Sequence, residues 1–197
     1  MARVAEIGSE APRGDDVLAR CRAGEADAWR ALYLEHHERL FRFVERMGVL
    51  PGDVPDVVQE VFVVLHRRLG DFDGRVAFRT WLFGIAIRLV RNHRRKVWQR
   101  RLARLAGFGP TPSDDDAESL LARGEAAEIV DDVLSRLKEK HRAVFVLFEI
   151  EGLDGTAISQ VLGCPVPTVW SRLQVARTEF ERLLRQRRAL RGEEASR

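Results

Sequence analysis

Between Gly107 and Gly124 the chain reads GFGPTPSDDDAESLLARG. Glycines, two prolines and the acidic triplet Asp114–Asp116 favour neither a continuous helix nor a strand, and this composition is that of a linker. The chain must therefore fold as two small modules. The expected division is a flexible arm over 1–14, where Gly8, Pro12 and Gly14 fall, a module over 15–100, a linker over 101–124, a module over 125–190 and a tail over 191–197. Modules of this size bury little core, so each should depend on docking partners for full order. In both, apolar residues recur at three and four and strand alternation is absent. The spacing predicts helices near 15–22, 25–47, 53–69 and 77–99, then near 125–137, 139–151, 154–162 and 167–188. The expected fold is all-α: two small helical domains on a flexible linker, the second a helix-turn-helix.

Several function classes drop out. The longest apolar runs, Val144–Phe148 and Trp81–Ile87, fall far short of the roughly 20 residues a membrane-spanning helix needs. The opening MARVAEIGSEAPRGDD lacks the apolar core of a secretory signal. Cys21 and Cys164 stand far apart and form no CxxC pair, which fits a reducing compartment. A cytoplasmic location is expected, without membrane insertion. There is no nucleophile–base constellation, no P-loop and no cluster of metal ligands, so the expectation is no enzyme, no cofactor and no metal. His36 and His37 are adjacent and cannot share a helical face as i, i+4 pairs do; they read as surface or capping residues.

The segment DVPDVVQEVFVVLHRR from Asp53 is a helix with two faces. Asp53 is the expected N-cap, with Pro55 in the first turn. Val58, Val61, Phe62 and Leu65 form the buried stripe. Asp56, Gln59 and Glu60 point the opposite way, and Val63 lies among them. Acid, amide and aliphatic together suit docking of a basic helical partner; the pattern fits a solvated amphipathic helix equally well, with Asp56 serving the helix dipole.

Residues 77–101 read AFRTWLFGIAIRLVRNHRRKVWQRR. Phe78, Leu82, Ile85, Ala86, Leu89 and His93 share an apolar face, where His93 reads as a packed residue. Arg88, Arg91, Arg94 and Arg95 lie opposite, with Trp98 among them. From Arg88 to Arg101 seven of fourteen residues are cationic and none is acidic. A stripe of one sign fits a polyanion, and the interleaved aromatics offer stacking to unpaired bases. Before this helix, Gly70 and Gly74 bracket a loop carrying Phe72, with Arg75 following. Such a loop suits an extruded base, which wants a stacking wall and hydrogen-bond donors; the pattern fits equally well a Phe72 that only pins the loop to the core.

Residues 154–180, DGTAISQVLGCPVPTVWSRLQVARTEF, have the form of a helix-turn-helix. Ile158, Val161 and Leu162 mark a short helix that Gly163 ends. Pro165 and Pro167 separate it from the next, whose buried stripe is Val166, Val169, Leu173, Ala176 and Phe180. Pro167, Ser171, Gln174 and Thr178 face outward, Thr168 and Trp170 sit at the margins, and Arg172 and Arg177 flank the stripe. Hydroxyl, amide and guanidinium groups at the start of a second helix are what a major groove requires. Trp170 fits either DNA contact or packing at the core edge.

With these strings in view, the first module resembles region two of bacterial sigma factors, and the second, with LKEKHRAVFVLFEIEGLDGTAISQVLGCPVPTVWSRLQVAR, resembles region four. No other sigma region has room, which points to the extracytoplasmic-function (ECF) group. The resemblance implies a dissociable subunit of core RNA polymerase that chooses promoters and carries out no bond chemistry. It implies that Asp56, Gln59, Glu60 and Val63 dock on the clamp helices of the largest polymerase subunit. Phe72, Arg75, Arg88, Arg91, Asn92 and Arg95 would then read and melt the minus-ten element. Pro167, Thr168, Ser171, Arg172, Gln174 and Arg177 would read the minus-thirty-five element of promoter DNA. It also implies a monomer when free and an anti-sigma partner that masks the docking faces. Many relatives carry Asn at Arg88 and Asp at Asn92, so this basic helix is more cationic than most; many also carry Lys at Trp170, Gly at Pro167 and Ala at Ser159. A different class stays open on the residues alone: a stand-alone helix-turn-helix regulator, dimeric on a palindromic site, with the first module as sensor or dimerisation domain. A third reading is a sequestered binding module that has lost its DNA function.

Overall fold

The computed structural model describes residues 14–105 and 125–194. The expected arm before Gly14, linker residues 106–124 and the end of the tail lie outside the described residues. Eight α-helices and no strand occur among the described residues: α1 Gly14–Arg22, α2 Ala26–Arg46, α3 Val54–Arg68, α4 Phe78–Leu105, α5 Glu125–Arg136, α6 Glu139–Phe145, α7 Gly155–Leu162 and α8 Val166–Glu194.

In the first module α1 packs on α2, α2 on α3, and α3 and α2 on α4. Phe43 of α2 and Phe83 of α4 meet at 4.6 Å between ring centroids, and Leu40, Leu65, Leu82 and Ile87 close the core around them. In the second module α5, α6 and α7 all lean on α8, burying Leu134, Leu147, Ile158 and Leu173. Each such side chain contributes about 1.5–3 kcal/mol. The modules also touch: α7 packs on α4 and α5 on α2, and the buried side chains of both form one continuous cluster.

Four local expectations are corrected. Asp53 does not cap α3, because Pro51–Asp53 is a 3-10 turn that leaves Asp53 in helical conformation without a side-chain cap bond; its carboxylate meets His93 Nε2 at 3.0 Å instead. α4 and α8 outrun their expected ends, since α4 meets no further glycine or proline between Gly84 and Gly107, nor α8 between Pro167 and Gly192. The sixth helix stops at Phe145 and widens into a π turn over Val146–Ile150, where the Glu151 amide bonds the Val146 carbonyl at 2.9 Å. Finally, His36 and His37 cap nothing; both sit half-buried inside α2.

Candidate nucleic-acid and docking interfaces

On α3 the buried residues Val57, Val58, Val61 and Leu65 face the core. Asp56, Gln59, Glu60 and Val63 are all exposed and fall within one arc of the helix. Beside this strip runs a groove of about 710 Å³ between α2 and α3, to which Trp29, Tyr33, His37, Phe62 and Val63 contribute. Tyr33 stands 4.7 Å from both the His37 and Phe62 rings. Sequence reasoning missed this wall, although Trp29, Tyr33 and His37 repeat at i, i+4 and so share a face of α2.

The segment Phe72–Ala77 is built rather than slack. Arg22 donates to the Phe72 carbonyl at 2.9 Å and to that of Leu69 at 3.4 Å. Asp73 Oδ1 accepts from the Arg75 amide at 3.0 Å, and Gly74 takes φ +75°, open to glycine at little cost. Phe72 packs edge-on to Phe78 and tilted on Trp81, at 5.6 and 5.4 Å, so it does pin the loop. Beneath lies a cavity of about 410 Å³ walled by Phe72, Val76, Phe78, Leu32 and His36, with Arg75 and Arg79 also lining it. Burial holds the His36 imidazole below its ordinary range. Arg75 is exposed, 3.1 Å from Asp73.

Arg88, Arg91, Asn92 and Arg95 are exposed along one arc of α4, on the helix that starts at this loop. His93 packs as expected. The apolar face is wider than expected: Phe83, Ile87 and Val90 are buried too, because α4 is wedged among α2, α3 and α7. The run without acids in sequence also gains one in space. Glu139, from the other module, lies 3.8 Å from Arg91 and 3.5 Å from Arg94.

The helix-turn-helix is held by three bonds. Asp154 Oδ1 accepts from the Ala157 amide at 2.8 Å and caps α7. Gly163 takes φ +65° and its amide bonds the Ser159 carbonyl. Ser159 Oγ donates to the Cys164 carbonyl at 2.6 Å. On α8, Pro167, Ser171, Gln174 and Arg177 are exposed, while Thr168 and Arg172 are half-buried. Arg172 reaches Cys164 Sγ at 3.6 Å. Arg177 is engaged by Glu149 at 2.6 Å and lies over the Phe148 ring at 5.4 Å. Of the two placements open to it in sequence, Trp170 shows packing at the core edge: it lies against Phe148 at 5.5 Å and over Gly155, where a Cβ would lie 2.5 Å from its ring, and remains 45% exposed.

Both halves of this arrangement match known family models: Sigma-70 region 2 over residues 32–101 and Sigma-70 region 4 over residues 127–180. The ECF RNA polymerase sigma-E factor of Escherichia coli K12 is 33% identical over 186 residues, spanning 85% of this chain and 92% of that protein. The chain belongs to the ECF sigma factors. The RNA polymerase sigma-H factor of Pseudomonas aeruginosa is 29% identical over 188 residues, covering 85% and 92%. The solved structure of CnrH in complex with the cytosolic domain of CnrY matches with TM-score 0.64 and 31% identity, over 86% of this chain and 96% of CnrH. The sigma factor RpoE of Bartonella quintana, solved with the anti-sigma factor NepR, shares the fold at TM-score 0.64 and 18% identity, over 79% and 96%. This sigma factor therefore directs RNA polymerase to promoters in transcription initiation and is non-catalytic. The region 2 match leaves no place for the first module as the sensor of a stand-alone regulator. Among the described residues no helix is long and apolar enough to cross a membrane.

Proposed function

We propose that this sigma factor binds core RNA polymerase through Asp56, Gln59, Glu60 and Val63 and reads a bipartite promoter with its two modules. The polymerase clamp helices are the partner of the α3 strip. Phe72 and Arg75 work at the loop, and Arg88, Arg91, Asn92 and Arg95 along α4, at the minus-ten element. Pro167, Thr168, Ser171, Arg172, Gln174 and Arg177 work at the minus-thirty-five element. The observation that carries this reading is the continuity of α4: a rigid helix joins a cavity-lined loop at one end to an exposed cationic arc along its length. A base leaving the stack gains an apolar wall and guanidinium donors, while the arc holds the backbone of the same strand. Melting then draws on binding energy alone. The protein is a monomer when free, acts in the cytoplasm with its polymerase and, by likeness to CnrH, which is solved in complex with the cytosolic domain of CnrY, has a regulatory protein partner of the anti-sigma kind.

Run-off transcription with purified core polymerase, coupled to sequencing of the transcripts, tests this. Defined start sites behind a shared pair of upstream elements are expected. Glu60→Lys should lose core binding while keeping the affinity of the free chain for DNA. Arg172→Ala should weaken the upstream contact by about 1–3 kcal/mol if it reads a base. No product from any promoter, or a Glu60→Lys variant that binds core like the parent, overturns the reading.

A further inference from the structure

We propose that Trp170 is a specificity-determining residue for the upstream element: its indole, seated on the second module, offers a fixed apolar surface to the 5-methyl group of a thymine in the major groove. The inference rests on the reading of α8 as the minus-thirty-five surface.

The first observation is placement. Trp170, Gln174 and Arg177 stand at i, i+4 and i+7, so they follow one line along α8, and all three are exposed. Trp170 thus sets a large apolar ring at the head of a line that is otherwise amide and guanidinium. Val175 is exposed as well, but it lies about 100° round the helix from Gln174.

The second is the seat. Phe148 meets the indole edge-on at 5.5 Å. Gly155 is buried beneath it, and a Cβ there would fall 2.5 Å from Cζ2 and 3.0 Å from Cε2 of the ring. A side chain at that position would take the place of the ring. Phe148 also carries the Arg177 guanidinium at 5.4 Å, and Glu149 holds it at 2.6 Å. Both ends of the line are therefore set by consecutive residues of the π turn.

The third is chemistry. An indole carries no charge and neutralises no phosphate. Among the groups that base pairs display in the major groove, the thymine 5-methyl is the apolar one, and apolar side chains are its partners. A seated ring with two χ angles gives up little conformational entropy on contact, whereas a long free side chain must first be ordered. The polar groups of α8 sense donors and acceptors, and the ring adds a sensor for the methyl.

The test uses holoenzyme reconstituted from the full chain and purified core polymerase. Its probe is a duplex library randomised over the upstream half and joined to the downstream half of a promoter recovered by run-off sequencing. A thymine should be enriched at an upstream position. Replacing it with deoxyuridine, which deletes only the methyl, should weaken binding about fourfold, the value of one buried methyl group. At the same position 5-methylcytosine should bind more tightly than cytosine. Both discriminations should vanish in Trp170→Ala and Trp170→Lys, and shrink in Gly155→Ala, which unseats the ring while leaving α8 unaltered. Each compares two DNAs on the same protein, so a loss of stability in a variant cancels. Discrimination that persists undiminished in any of these variants overturns the proposal, as does a parent indifferent to deoxyuridine at every enriched thymine. If Arg172→Ala changes the enriched sequence while the parent ignores the methyl, the upstream reading stands and the assignment to Trp170 fails. If no upstream sequence is enriched, the reading of α8 fails and takes the assignment with it.

Discussion

Gly48 answers to two constraints, and a double-mutant cycle separates them. Its φ of +82° lies in the left-handed region, where an alanine costs about 1–2 kcal/mol. A Cβ there would also stand 2.0 Å from Arg142 Nη1. A long side chain usually swings away from such a clash, but this one is 5% exposed. Its Nη2 donates to the carbonyls of Ser135 and Leu137. Burial, with Arg94 nearby, pushes its pKa down to about 10. Displacement loosens at least one charge-assisted bond, a loss of about 1.5–3 kcal/mol. Gly48→Ala should thus cost roughly 3–5 kcal/mol in the parent but only the backbone share, about 1–2 kcal/mol, in an Arg142→Met background. Urea unfolding followed by far-ultraviolet circular dichroism gives the four stabilities. Equal costs in the two backgrounds, within about 0.5 kcal/mol, would refute the close approach of α6 to the end of α2.

His36 is held neutral by burial, below its ordinary 6.5. The unfolded chain therefore binds more protons in that window, and stability is full above 6.5 and falls as pH drops beneath it; His36→Gln should flatten that slope in thermal melts. Asp154→Ala removes the cap of α7 and should lower stability by about 1 kcal/mol, whereas Asp154→Asn should retain most of it. Gly155→Ala sets helix propensity, worth about 1 kcal/mol, against a Cβ 2.5 Å from the Trp170 ring. Because that ring is half-exposed it can leave, so little net change in stability should accompany red-shifted tryptophan emission; an unshifted spectrum would show that Trp170 does not lie over Gly155.

What was legible in the sequence was whatever a single helix decides for itself. The buried stripe of α3, the exposed arc of α4 and the glycine stop of α7 all follow from periodicity and local backbone preference. The misread features depend on distant chain. Asp53 has the chemistry of a cap, but a 3-10 turn sets its backbone and His93 takes its carboxylate. The burial of Phe83, Ile87 and Val90 needs a partner face on α2 or α7, and no window around residue 87 announces one. Glu139 is an ordinary first-turn acid of α6 until the fold brings it to Arg94. Arg177 has the chemistry of a DNA-facing cation, and only the fold shows that Glu149 and Phe148 engage it as well. In each case the residue type was informative and its partner was not.

The seam between the modules is also where their small size is resolved. Neither four-helix unit has core to spare, and the continuous cluster shows that each completes its burial on the other. Opening the chain therefore exposes apolar surface on α4 and α7 as well as breaking ion pairs. The two contributions respond differently to conditions. Salt screens solvated pairs such as Glu139 with Arg91 but does not weaken apolar burial, and strongly salting-out anions reinforce it. Ionic strength alone should thus loosen Glu139 from Arg91 and Arg94 without separating the modules. Separation requires a partner that offers α4 or α7 an alternative apolar surface, a demand that charge screening by itself does not meet.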